Sequence, residues 1–149
     1  LLQLCQQLSE NGLDIAQDDR VRDRIADLYT LSEAVRLTRL RTLTSLSHGH
    51  APGPEGSIVK LADTHRLQEM VAFALDLLGP EGVSYQSQEP LRNLFEDAFF
   101  YSAGLRIAGG TDEIQKNTLA ERILGLPPDV RVDKDMAFKD IPTGVATDR

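Results

Sequence analysis

Apolar side chains recur at helical spacing in five separate stretches of this chain. Leu1, Leu4 and Leu8 share one face of a short helix, which Asn11 and Gly12 stop. Asp18 or Asp19 can cap a second, long helix, whose apolar positions Val21, Ile25, Leu28, Leu31 and Val35 advance by three or four. Beyond Val35 the stripe drifts to Leu37, Leu40 and Leu43, and Arg36, Arg39 and Arg41 take the outer face. The stretch HGHAPGPEGS (48–57) has no apolar period and reads as a connection. A third helix is predicted from near Ser57 to Leu78. Its second half, MVAFALDLL, is apolar on nearly every side, which makes it the expected central and most buried helix. GPEG (79–82) ends it. A fourth helix is predicted over 91–106 and a fifth over 112–124. After LGLPPDV the pattern is lost, so 128–149 reads as an extended or poorly ordered tail. No period-2 strand and no internal repeat stands out. Helices with short joints predict an all-α, up-down helical bundle over 1–127.

Composition narrows the function classes. A length of 149 residues suits one domain with a real core. The formal net charge of −7 argues against a nonspecific nucleic-acid surface, which needs clustered Lys and Arg. A single cysteine, Cys5, excludes an intrachain disulfide and reads as a small core residue. No apolar run approaches about 18 residues, so no membrane insertion is expected. The opening LLQLCQQLSENG, without Met, reads as the last turns of a helix begun upstream, and the chain is expected to be a fragment. His48 and His50 flank a loop glycine and His65 follows on the next helix. Three or four converging ligands are not evident, so no metal is expected and these histidines read as solvated. Phe95, Phe99, Phe100 and Tyr101 read as core or subunit-interface packing, and Glu33 and Arg36 as an intrahelical pair.

Residues 106–127, RIAGGTDEIQKNTLAERILGLP, reach past patterning. Together with GSIVKLADTHRLQEMVAFALDLLGPEGV (56–83), they resemble the C-terminal signatures of the acyl-CoA dehydrogenase family. The family carries a Gly-Thr turn before an Ile-Gln helix, and a Lys-Leu helix ending in a glycine turn. The resemblance covers residues 1–127 in the right order. It implies a C-terminal helical domain packed on upstream N-terminal helical and β domains, FAD as cofactor, an acyl-CoA substrate and a cytoplasmic homo- or hetero-oligomer, dimer or tetramer.

The two glycines lack Cβ, which permits positive φ and close approach to the backbone. Thr111 can cap the fifth helix, with Asp112 and Glu113 in its first turn as dipole partners. From these residues alone, the turn can join two helices or present N–H groups to a phosphate. The resemblance implies that it approaches flavin and thioester, making Thr111 the leading flavin contact, with Gly110 and Glu113 beside it. It also implies that Gly79 and Gly82 meet the flavin of a neighbouring subunit. Pro80 and Asp76 depart from the family pattern there, and an Asp beside a diphosphate is unfavourable unless it is paired.

In many family members the base that removes the α-proton is a Glu directly before the Gly-Thr. Gly109 occupies that position and has no side chain. No catalytic residue is therefore expected within these residues, and the isolated chain is expected to be inactive. Two explanations stay open: the base lies upstream of Leu1, or this is a non-catalytic subunit of a heteromeric dehydrogenase. A cofactor-free helical interaction module is the third reading.

Overall fold

The structure, a computed structural model, describes residues 1–13, 15–83, 90–128 and 136–141. Five α-helices follow one another: α1 (Leu2–Glu10), α2 (Asp19–Ser47), α3 (Glu55–Leu78), α4 (Pro90–Leu105) and α5 (Asp112–Arg122). No strand occurs among the described residues. The all-α bundle expected from the hydrophobic periodicity is what forms.

The helix starts follow local chemistry. Asp18, rather than Asp19, caps α2: its carboxylate accepts the N–H of Arg20 at 2.9 Å. Thr111 caps α5, its hydroxyl oxygen accepting the N–H of Ile114 at 3.4 Å. The third helix starts two residues earlier than predicted, because Pro54 can precede a first turn that includes Glu55. The fifth stops at Arg122 rather than 124.

α3 is the hub, packing against α2, α4 and α5. Its Val71 and Ala74 are fully excluded from solvent and join Leu4, Leu8 and Phe95 in the core. Burying each of the Leu, Val and Phe side chains stabilises by about 1.5–3 kcal/mol, which is what fixes α1 and α4 on α3. α2 meets the bundle through Val21, Leu28 and Val35, spaced seven apart on one stripe. Its second half turns that stripe outward, and Leu37, Leu40 and Leu43 are exposed. Arg24–Glu69 at 3.2 Å and Arg39–Asp63 at 2.5 Å cross the α2–α3 seam, and the expected Glu33–Arg36 pair forms at 2.7 Å. Such exposed pairs add little stability.

The aromatic cluster of α4 divides. Phe95 and Ser102, seven residues apart, are buried; Phe99 falls between them on the same stripe yet is exposed, as are Phe100 and Tyr101 off it. Phe99 and Phe100 pack edge to face, with centroids 5.8 Å apart. Cys5 is buried, as a small core residue should be. Of the predicted tail, residues 129–135 and 142–149 lie outside the described residues. Within 136–141 there is a one-turn 3-10 helix at Phe138–Asp140.

Candidate functional site

Between α4 and α5 the chain reverses through Ala108, Gly109, Gly110 and Thr111. Gly109 has φ of 68° and Gly110 of 102°, the left-handed region that L side chains rarely adopt. Two adjacent glycines choose such a conformation only weakly on their own, so neighbouring groups must hold it. Lys60, from the second turn of α3, does so. Its ammonium donates to the Gly110 carbonyl at 2.6 Å and to the Arg106 carbonyl, at the end of α4, at 3.2 Å. Gln115 Nε2 donates to the Gly109 carbonyl at 2.8 Å. A Cβ on Gly110 would sit 2.7 Å from that Gln115 nitrogen, so the missing side chain makes room for the clamp.

Beneath the turn lies an ion cluster built around one buried carboxylate. Asp112 is only 4% exposed. Arg106 donates to Asp112 Oδ2 through Nε at 2.7 Å and also through Nη2, while its Nη1 donates to Gln68 Oε1 at 2.8 Å. His65 Nε2 lies 3.1 Å from the same Oδ2, and Lys60 Nζ is 3.8 Å from Oδ1. The hydrogen bond from Arg106 holds the Asp112 carboxyl below the usual carboxylate range. Burial pushes the other way, and the charges of Arg106, His65 and Lys60 reinforce the lowering. A carboxylate this buried is tolerable because cations surround it. Glu113, by contrast, is exposed. Its own backbone N–H and the Thr111 hydroxyl hold its pKa down.

In sequence Asp112 reads as a cap-adjacent acid and His65 as a solvated histidine; both belong to this cluster, and no local pattern marks Lys60, Arg106, Gln68 or Gln115. Lys60 and Gly110 are 50 residues apart, so no local pattern could join them.

What the clamp leaves open bears on cofactor binding. All peptides among the described residues are trans. Across a planar trans peptide the C=O and the following N–H point opposite ways. With the Gly109 and Gly110 carbonyls drawn to Gln115 and Lys60, the N–H groups of Gly110 and Thr111 face away from the clamp. Neither N–H has an acceptor among the described residues. Two adjacent donors beside side-chain-free glycines fit the polar edge of a flavin or a phosphate group. Gly109 offers no carboxylate, and Asp112 is sequestered by its cations.

Gly79 and Gly82 stand elsewhere, after the C-terminus of α3. Gly79 has φ of 59°, and a Cβ on Gly82 would lie 2.3 Å from the Leu75 carbonyl oxygen. With Leu75, Asp76, Glu96, Phe99 and Phe100 they line a largely apolar groove of about 560 Å³. Glu96 is 4% exposed. Its Oε1 accepts from Arg92 Nε at 3.1 Å and its Oε2 has no hydrogen-bond partner among the described residues. The two acids Asp76 and Glu96 fit a diphosphate poorly and a donor-bearing or apolar moiety better.

Four helices arranged around α3, with a clamped two-glycine turn before the last, define an all-α bundle domain that solved structures share. The ChsE4–ChsE5 complex from Mycobacterium tuberculosis matches with a TM-score of 0.72 over 85% of this chain and 34% of that one, at 22% identity. A structure described as the Tcur3481–Tcur3483 steroid ACAD matches with a TM-score of 0.73 over 85% and 33%, at 20% identity. At those identities the likeness is one of fold. Residues 1–124 match the family described as "Acyl-CoA dehydrogenase, C-terminal domain", and the chain belongs to the acyl-CoA dehydrogenase family. It is 30% identical over 116 residues to the acyl-CoA dehydrogenase IpdE1 of Mycolicibacterium smegmatis, covering 78% of this chain. The chain spans 28% of the length of that curated relative.

Proposed function

We propose that this chain serves as the C-terminal helical domain, residues 1–127, of an FAD-dependent acyl-CoA dehydrogenase that converts an acyl-CoA to its 2,3-enoyl-CoA. Upstream helical and β domains complete the site. FAD, when bound, supplies the hydride acceptor. The observation that carries the reading is the pair of N–H groups at Gly110 and Thr111, which have no acceptor among the described residues, on a turn whose carbonyls Lys60 and Gln115 hold. In this reading Gly110, Thr111 and Glu113 contact the flavin of the same subunit. Gly79 and Gly82 approach that of a neighbouring one, with the acids of their groove facing hydroxyl or amino donors. A preorganised pair of donors stabilises charge developing on an adjacent oxygen without reorganising.

The carboxylate that takes the α-proton comes from outside this turn, because Gly109 has no side chain and the cations hold Asp112. A second reading follows from the same glycine. The chain belongs to a subunit without a base, paired in a heteromer with one that has it. The fold likeness to a two-component complex favours keeping that reading. A helical interaction module without cofactor is the remaining alternative, disfavoured by the family match.

The deciding experiment is the visible spectrum of the full-length protein before and after anaerobic addition of acyl-CoAs. The panel holds fatty acyl and steroid-type thioesters, since one fold relative is described as a steroid ACAD. Bound flavin that bleaches supports the dehydrogenase with a base upstream. Bound flavin that bleaches only when a second subunit is co-purified supports the heteromer. A correctly folded full-length protein that takes up no flavin, alone or with its partner, overturns both.

A further inference from the structure

We propose that Lys60 is a positioning residue for the Gly109–Thr111 turn, acting on the flavin site without touching the flavin. The inference rests on the reading of that turn as the flavin contact. Lys60 is four-fifths buried and makes its polar contacts with the carbonyls of Gly110 and Arg106 and, at 3.8 Å, with Asp112 Oδ1. Each contact has a consequence. The bond to Arg106 caps the C-terminus of α4, where orphan carbonyls and the helix dipole favour a cation. The bond to Gly110 fixes the plane of the Gly110–Thr111 peptide and so aims the Thr111 N–H. Asp112, held by Arg106 and His65, keeps the ammonium in place. The turn carries two glycines at positive φ, so its backbone would otherwise sample several orientations. Gln115 pins the first peptide from α5, and Lys60 pins the second from α3, the helix that packs on α2, α4 and α5.

The test uses the flavin-loaded full-length protein with Lys60→Met, Lys60→Arg and, as a control for lost stability, Leu28→Ala in the α2 stripe. Thermal unfolding, flavin affinity and the fine structure of the flavin absorbance are read for each. The inference expects Lys60→Met to weaken flavin retention on the order of tenfold and to alter the spectrum, since a charge-assisted hydrogen bond is lost. Lys60→Arg should recover part of both. Leu28→Ala should unfold at lower temperature with flavin affinity and spectrum unchanged. If Lys60→Met follows Leu28→Ala, losing stability alone, Lys60 is merely structural and the inference falls. If wild type binds flavin and Lys60→Met binds it identically, the inference also falls while the flavin reading stands. Wild type without flavin removes both together.

Discussion

At the turn before α5, Gly109 and Gly110 have positive φ, and side chains from α3 and α5 hold their carbonyls. At the turn after α3, Gly82 instead lies so close to the Leu75 carbonyl that any Cβ would collide with backbone. The first turn is shaped by charge: Lys60, Arg106 and His65 surround one buried carboxylate. The second borders an apolar groove whose charged walls, Asp76 and Glu96, are both acidic. At the first turn both glycines serve conformation and Gly110 also leaves room for a side-chain amide; at the second, Gly79 serves conformation and Gly82 a close contact with backbone. A ligand meets donors at the first turn, and apolar surface with acceptors at the second.

Substitutions separate the two. Gly82→Ala should be the most damaging, at about 3 kcal/mol, because the clash is with main chain that cannot rotate away. Thermal unfolding of the full polypeptide measures it, and tolerance of the alanine would break the close-contact account of this turn. Asp112→Asn should come next. The folded-state carboxyl titrates below its ordinary 3.8, so its stabilisation is complete well above that value and fades as pH falls through the folded-state pKa. Arg106, Lys60 and His65 are the groups facing it. The variant should unfold at lower temperature at neutral pH and lose stability less steeply on acidification. Parallel acid limbs for variant and wild type would show that the cluster is not what titrates.

The glycines of the first turn give the smaller effects, in a definite order. Gly110→Ala should cost about 2 kcal/mol, combining left-handed backbone strain with displacement of the Gln115 amide. Gly109→Ala should cost about 1 kcal/mol, since only the strain applies and the space around it is open. Equal costs at the two positions would remove the Gln115 bond from the account.

Most of the helical frame was legible because it depends on neighbours in sequence. The Thr111 cap and the Leu78 end of the third helix follow from period and capping chemistry, and the structure has them; of MVAFALDLL only Val71 and Ala74 are fully buried, the other apolar side chains are half-buried and Asp76 is exposed. The ion cluster was not legible. Asp112 in a first helical turn reads as a solvated dipole partner until α3 brings Lys60 and His65 across to it. In the same way, the four clustered aromatics on α4 do not share one fate: Phe95 is in the core, while Phe99, one turn further along the same stripe, is exposed with Phe100 and Tyr101. The Gly-Gly-Thr motif located the first turn, but no local signal tied it to Lys60. The assignments of Gly79, Gly82, Gly110, Thr111 and Glu113 to flavin rest on the proposal above.

α3 also sets a spacing. Lys60, which grips one turn, and Leu75, against which the other rests, lie on one unbroken helix about 22 Å apart along its axis. The helix therefore works as a ruler graduated in residues. Substitutions along it repaint the marks. A single insertion or deletion between them would move one turn by about 1.5 Å and swing it by about 100° relative to the other, putting the two ends out of phase. Length over this stretch is thus held more tightly than identity.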